Sequence, residues 1–242
     1  MQEWRIDNQT IYEIGPLEEY LAALGFAAGL EGEEQRLVVA VGDAGTGKTV
    51  GAKLFCRQRE ARPLYLRIHP QQVLTARSLL QLIADPLGLA WDVRSRYDVA
   101  AGIVNDSLRR PRLLILDEAQ NLAKGELLDI IRWMHDEGGH SFALVGSPAL
   151  DFALGDRREL ASRVALRHQL RLPTPAEIGP LFDGFPEDAI ERIHQETGGR
   201  MRQVMALRRR LLELVKQHKW YPEEVTSRQV STVAKHFLVR AA

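Results

Sequence analysis

The feature that most constrains this chain is Gly42-Asp43-Ala44-Gly45-Thr46-Gly47-Lys48-Thr49, which fits G-x-x-x-x-G-K-[ST] at every specified position. It follows the apolar run Leu37-Val38-Val39-Ala40-Val41 and precedes a helical pattern that begins at Lys48. Strand, glycine turn and helix in that order make an anion cradle. Glycines let the backbone curl so that successive N–H groups point inward, and the helix start adds the positive end of its dipole. Lys48 is expected to reach the β and γ phosphates of a nucleoside triphosphate, and Thr49 to set its hydroxyl on Mg²⁺. Gly42, Asp43, Ala44, Gly45, Thr46, Gly47 and Val50 complete the expected nucleotide contacts.

A second string, Leu113-Leu114-Ile115-Leu116-Asp117-Glu118, delivers two carboxylates at the end of an apolar strand. In an open α/β sheet the carboxyl ends of the strands are where ligands bind. Asp117 is expected to hold Mg²⁺ through its water shell, since that ion prefers oxygen ligands. Glu118 is expected to orient and deprotonate the attacking water. Two acids after a strand also serve as helix caps, but beside the loop at Gly42 the hydrolytic reading is the stronger. No Asn-Lys-x-Asp string selects guanine, so ATP is the expected nucleotide. Tyr12 and Ile14, ahead of the first core strand, are candidate walls for the base, although apolar residues there also serve simple packing.

Short apolar runs alternate with helical patterns as far as residue 172, which predicts a parallel sheet flanked by helices. Core strands are expected at 37–41, 64–68, 113–116 and 142–145, with an edge strand at Arg167–Leu172. Helices are expected at 48–59, 75–84, 98–109, 127–137 and 158–164. After Pro173-Thr174-Pro175 no strand pattern follows, and four helical segments predict a small all-helical lid. The expected division is a nucleotide-binding α/β domain over 1–172, opening with a helical linker over 1–35, and a lid over 173–242.

Composition narrows the classes less. The 242 residues carry 32 basic and 32 acidic side chains, so a nucleic-acid surface must come from local clusters. Arg200 to Trp220 holds seven basic residues against Glu213 alone, and the stretch to Arg36 holds eight acidic ones; each run reads equally as a solvated helix face. Cys56 is the only cysteine, which excludes an internal disulfide and fits a reducing cytoplasm. No apolar run approaches the ~18 residues of a membrane span, so no membrane partner is expected.

Three further strings carry a resemblance to a known family. Gly146-Ser147-Pro148 follows the strand at Phe142–Val145; Ala161-Ser162-Arg163-Val164 lies in a basic segment; Gly198-Gly199-Arg200-Met201-Arg202-Gln203 opens a lid helix. With the two strings above, they make the chain resemble the AAA+ ATPases over nearly its whole length. The resemblance implies that Ser147 is the first sensor, where asparagine or threonine is usual; a helix cap is the alternative. It implies that Arg163 is an arginine finger supplied to a neighbouring subunit, with Arg157 and Arg158 as competitors. It implies that Arg202, or else Arg200, is the lid arginine that touches phosphate. Asp117-Glu118-Ala119-Gln120-Asn121-Leu122 and the short lid are most similar to transposition regulators of the MuB and TnsC type, and to ExeA-like secretion ATPases. That likeness implies a homo-oligomeric ring or helical filament on double-stranded DNA, bound without sequence preference, which recruits a transposase. Arg67, His69, Arg77, Arg94 and Arg96 are the candidate DNA contacts, each also explicable as surface charge.

Overall fold

The computed structural model describes residues 3–6, 9–30, 33–58, 63–71, 75–89 and 95–238. In chain order the elements are β1 (Glu3–Ile6), β2 (Gln9–Tyr12), α1 (Gly15–Ala28), β3 (Leu37–Val41), α2 (Lys48–Gln58), β4 (Leu64–Arg67), α3 (Ala76–Leu87), α4 (Arg96–Arg109), β5 (Leu113–Asp117), α5 (Leu127–Glu137), β6 (Ser141–Gly146), α6 (Ala149–Gly155), α7 (Arg158–Ala161), β7 (Val164–Gln169), α8 (Pro175–Ile178), α9 (Glu187–Thr197), α10 (Met201–His218) and α11 (Ser227–Phe237). Two compact units result: Glu19–Asp43 with Lys48–Leu170, and Met1–Glu18 with Ala44–Gly47 and Arg171–Ala242.

The first unit is built on a parallel sheet with strand order β4-β5-β6-β3-β7. Its three central strands, LVVAV, LLILD and SFALVG, are buried at every position. Continuous apolar runs are what a parallel sheet covered on both faces requires. One face packs Leu37, Val39, Leu114, Leu116 and Phe142 against α3, α4 and α5. The other packs Val38, Ala40, Ile115 and Val145 against Tyr20, Leu24 and Phe55 of α1 and α2. The period-two alternation along each strand therefore feeds two cores at once.

Local signals place the helix ends. Thr75 and Ser78 form a reciprocal capping box at the start of α3, and Gly88 ends it in the left-handed region at φ 70°. The edge strand differs from expectation: β7 runs Val164–Gln169, because Val164 already pairs with Leu37 of β3. The helix expected over 158–164 accordingly stops at Ala161.

The second unit gathers α8 to α11 around Ile178, Phe182, Ile193, Val204, Leu207 and Val230. The chain's beginning corrects the sequence reading. Glu3–Ile6 and Gln9–Tyr12 pair as antiparallel strands, with Trp4 opposite Ile11, and are not part of a helical linker. The strand pair belongs with the helical unit, whose core includes Tyr12. Four residues per strand were too short to show a period of two among helix-compatible neighbours.

Candidate nucleotide site

The carboxyl ends of β3, β5 and β6 bring the two motifs together. Gly42 N–H donates to Gly146 O (3.1 Å), fixing the start of the phosphate loop to the end of β6. Gly45 and Gly47 adopt φ of 92° and 90°, where a side chain would be strained. An added Cβ on Gly47 would meet nothing within 4 Å, so backbone conformation and not space demands glycine there. Lys48 Nζ donates to Gly42 O (2.6 Å) and Asp43 O (2.7 Å). Burial lowers the Lys48 pKa, and nearby Asp117, Glu118 and Asp43 oppose that shift.

Asp117 is 1% exposed, and its Oδ2 accepts from Thr49 Oγ1 (2.7 Å) and from Tyr65 Oη (2.8 Å). Its Oδ1 accepts from Glu118 N–H (2.9 Å). The hydroxyl and carboxylate that converge here are hard oxygen donors of the kind Mg²⁺ takes. No group of three or more His, Cys, Asp or Glu among the described residues could hold a metal, so an ion here would complete its shell with phosphate and water oxygens.

Glu118 follows at φ 61° and ψ 34°, a left-handed conformation that costs a non-glycine residue about 1–2 kcal/mol. Its carboxylate lies between two partners: Arg67 Nη2 lies 3.6 Å from Oε1, and Gln120 Nε2 donates to Oε2 (2.7 Å). The arrangement sets a cradle for polyphosphate beside an oxygen pair for a divalent ion, with a second carboxylate one residue on. Its chemistry is hydrolysis of a nucleoside triphosphate.

Comparison with known proteins agrees. The sequence profile of the AAA domain matches residues 31–154 of this chain. The chain belongs to the AAA family of ATPases. No curated protein matches it by sequence. Among solved structures, this AAA protein is similar to Cdc6p from Pyrobaculum aerophilum at 18% identity, with a TM-score of 0.65 over 93% of this chain and 67% of that one. ORC2 from Aeropyrum pernix gives 17% identity and a TM-score of 0.63, over 93% of this chain and 67% of the other. RuvB from Thermotoga maritima gives 18% and 0.59, over 93% and 71%. These likenesses establish the AAA+ fold, and the chain spans about two thirds of the length of such relatives.

Within the AAA fold the remaining expected residues fall in different places. Ser147, half-buried beyond β6, donates its N–H to Gln120 Oε1 (3.1 Å), and α6 starts without a side-chain cap. Arg163 sits at the opposite edge of the sheet, in a forked pair with Asp136 (Nη2 to Oδ2 2.7 Å). Arg157 donates to Gly125 O (2.9 Å), while Arg158 is exposed. In the helical unit, Arg200 and Arg202 are both exposed, and the Arg200 stem lies against the loop apex. An added Cβ on Gly45 would meet Arg200 Cβ at 3.2 Å, and Met201 N–H donates to Gly45 O (3.3 Å). Tyr12 belongs to the helical core with the Arg208 guanidinium 5.3 Å from its ring centre, and Ile14 is buried at 7% exposure.

Of the candidate DNA contacts, Arg67 faces Glu118, and Arg96 pairs with Glu126 (2.7 Å). His69 Nδ1 accepts from Gln71 N–H (3.3 Å), and Arg77 is exposed on α3. Arg94 lies outside the described residues. Sequence reasoning missed Tyr65 and Gln120 as parts of the site. The one signal for Tyr65 was a hydroxyl-bearing residue in a strand that ends at the same edge as Asp117.

Proposed function

We propose that this AAA ATPase assembles with ATP as a homo-oligomer on double-stranded DNA, binds it without sequence preference, and regulates DNA transposition by presenting target DNA to a transposase. Thr49 and Asp117 would hold Mg²⁺, whose charge neutralises the phosphates when it is bound, and Lys48 would hold the β and γ oxygens. Glu118 would align the attacking water and take its proton. Arg163, or the exposed Arg158, would supply transition-state charge to a neighbouring subunit.

The observation that carries the DNA reading is the pairing of Arg67 with Glu118, their side chains being 58% and 37% exposed. An arginine so placed draws the base toward itself and remains open to solvent. A DNA phosphate competing for Arg67 would release Glu118, so that hydrolysis follows DNA binding. A second reading, a replication-initiator or helicase-loader ATPase, is favoured by the fold likeness to ORC2 and Cdc6p.

The test is ATP hydrolysis with and without random-sequence duplex DNA, with negative-stain microscopy of the same samples in a slowly hydrolysed analogue. DNA is expected to raise turnover and to collect rings or filaments, and Arg67→Ala to raise the DNA-free rate and shrink the stimulation. Hydrolysis indifferent to DNA, without assembly, would remove the DNA reading. A transposase retained only by the ATP-bound assembly would separate the first reading from the second, for which a replicative helicase would be retained instead.

A further inference from the structure

The string after the acidic pair contains a side chain that the hydrolysis scheme leaves unused. Gln120 lies in a 3₁₀ turn, Ala119–Ala123, directly beyond Glu118. Its amide is used at both ends: Nε2 donates to Glu118 Oε2 (2.7 Å), and Oε1 accepts from Ser147 N–H (3.1 Å). A carboxylate needs a donor and a backbone N–H needs an acceptor, so only one orientation of the amide satisfies both. The turn itself is anchored on its other flank, where Asn121 Nδ2 donates to Ile68 O (3.0 Å) beside Arg67.

Gly146 gives a second, independent observation. A Cβ built there would lie 2.6 Å from Gln120 Oε1, with Gln120 N and Leu150 Cδ2 both at 3.3 Å. Gly146 has no positive φ, so its backbone does not require glycine. What the missing side chain leaves room for is the Gln120 amide. The end of β6 is thus shaped to admit this side chain, and the left-handed twist at Glu118 brings the carboxylate to it.

From this geometry we infer that Gln120 is a positioning residue for hydrolysis, a bridge that fixes the Glu118 carboxylate to the backbone of Ser147 at the end of β6. The inference rests on Glu118 being the base. Glu118 is then held on both oxygens, by Arg67 at Oε1 and by Gln120 at Oε2. Arg67 is mostly exposed and displaceable, whereas Gln120 is half-buried and tied to main chain. When Arg67 leaves, Gln120 keeps the carboxylate from swinging freely about its side-chain torsions. A bridge of this kind also passes any shift of Ser147 directly to the base.

Misplacing a reacting group by about 1 Å costs on the order of 10²-fold in rate. Gln120→Ala is therefore expected to lower kcat roughly 10- to 100-fold, with KM and the affinity for a fluorescent ATP analogue unchanged. Gln120→Glu, which keeps an acceptor for Ser147 N–H but sets a carboxylate against Glu118, is expected to lower kcat at least as far. Gly146→Ala displaces the amide and is expected to reproduce the kinetic defect of Gln120→Ala. The double variant Gln120→Ala/Gly146→Ala should be no slower than the slower single variant, because both changes remove one bridge. A structural role alone would shift the melting temperature and would not separate kcat from KM.

Glu118→Gln is measured alongside. If turnover survives in it, the base assignment falls and the Gln120 role with it. If Glu118→Gln is inactive while Gln120→Ala keeps its kcat, or if the two defects at 120 and 146 multiply in the double variant, the bridge alone is overturned.

Discussion

The two edges of the parallel sheet carry polar clusters of similar composition and opposite design. At the carboxyl edge, Lys48, Thr49, Asp117, Glu118 and Gln120 converge, with Glu118 37% exposed and the Lys48 ammonium shifted toward its neutral form by burial. At the amino edge, Arg36 is 8% exposed, and its guanidinium donates to the carbonyls of Glu33, His135, Gly138 (2.8 Å) and His140 (3.4 Å). Its own N–H donates to His135 Nε2 (3.1 Å), and His140 Nδ1 accepts from Arg112 N–H (3.2 Å). Arg36 is a buried charge saturated by main chain, and it closes the starts of β3 and β6 and the end of α5. Carboxylates and a cation gather at the other edge, where a triphosphate and its metal are proposed to bind. Charge and burial alone do not mark a functional cluster; what distinguishes this one is that its side chains gather beside the glycine loop at the carboxyl ends of β3 and β5.

The largest expected effect lies at Lys48. Lys48→Met removes the ammonium proposed to hold the β and γ oxygens of ATP and is expected to lower ATP turnover ~10³-fold, about 4 kcal/mol of transition-state stabilisation. Because burial already disfavours that charge, the melting temperature of the nucleotide-free protein should hold or rise. A large fall in melting temperature would show that the carboxyl-edge cluster also holds the fold.

The next effect belongs to the other edge. Arg36→Met keeps the length and apolar stem but strands several buried carbonyls, at a cost of about 3 kcal/mol. That is roughly 6–12 °C in melting temperature for a chain of this size. Turnover measured well below the transition should stay within about threefold of wild type. If Arg36→Met melts normally, the amino-edge cluster is surface-like, and the contrast drawn between the two edges fails.

Legibility in the sequence followed the same contrast. The phosphate loop and the Asp117-Glu118 pair could be read because their spacing is fixed by the shape of a triphosphate, and the apolar runs before them declared the parallel sheet. The helical unit was readable from Pro173-Thr174-Pro175 and from periodicity, which predicts helices starting at Pro186, Arg200 and Thr226, each one residue before α9, α10 and α11 begin. Arg36 and His135, which are 99 positions apart, had no local pattern at all. Arg67 and Gln120 were visible as residues but not as partners of one carboxylate, since that pairing depends on β4 lying beside β5 and on the left-handed turn at Glu118. The strand pair β1 and β2 was missed for a different reason: each strand is four residues long, and among the described residues they pair only with each other.

The smallest expected effect is on the pH dependence of stability. Burial lowers the His140 pKa from 6.5 to about 4, with Asp106 opposing and Arg112 adding to the shift, and His135 is lowered in the same direction by its own burial. A histidine whose folded pKa lies below its unfolded value keeps the native state short of a proton. Above pH 6.5 both states are neutral and the group contributes no pH dependence. As pH falls from 6.5 toward 4 the unfolded state takes up the proton first, so stability declines across that window, by about 2 kcal/mol from His140 alone by pH 5. His140→Asn, whose side-chain oxygen can still accept from Arg112 N–H, does not titrate there and should flatten the melting curve between pH 7.5 and 5. Lys48→Met, which leaves His135 and His140 with their partners, should leave that curve parallel to wild type. A curve flattened by Lys48→Met and not by His140→Asn would place the acid sensitivity at the nucleotide edge and reverse the assignment of the two clusters.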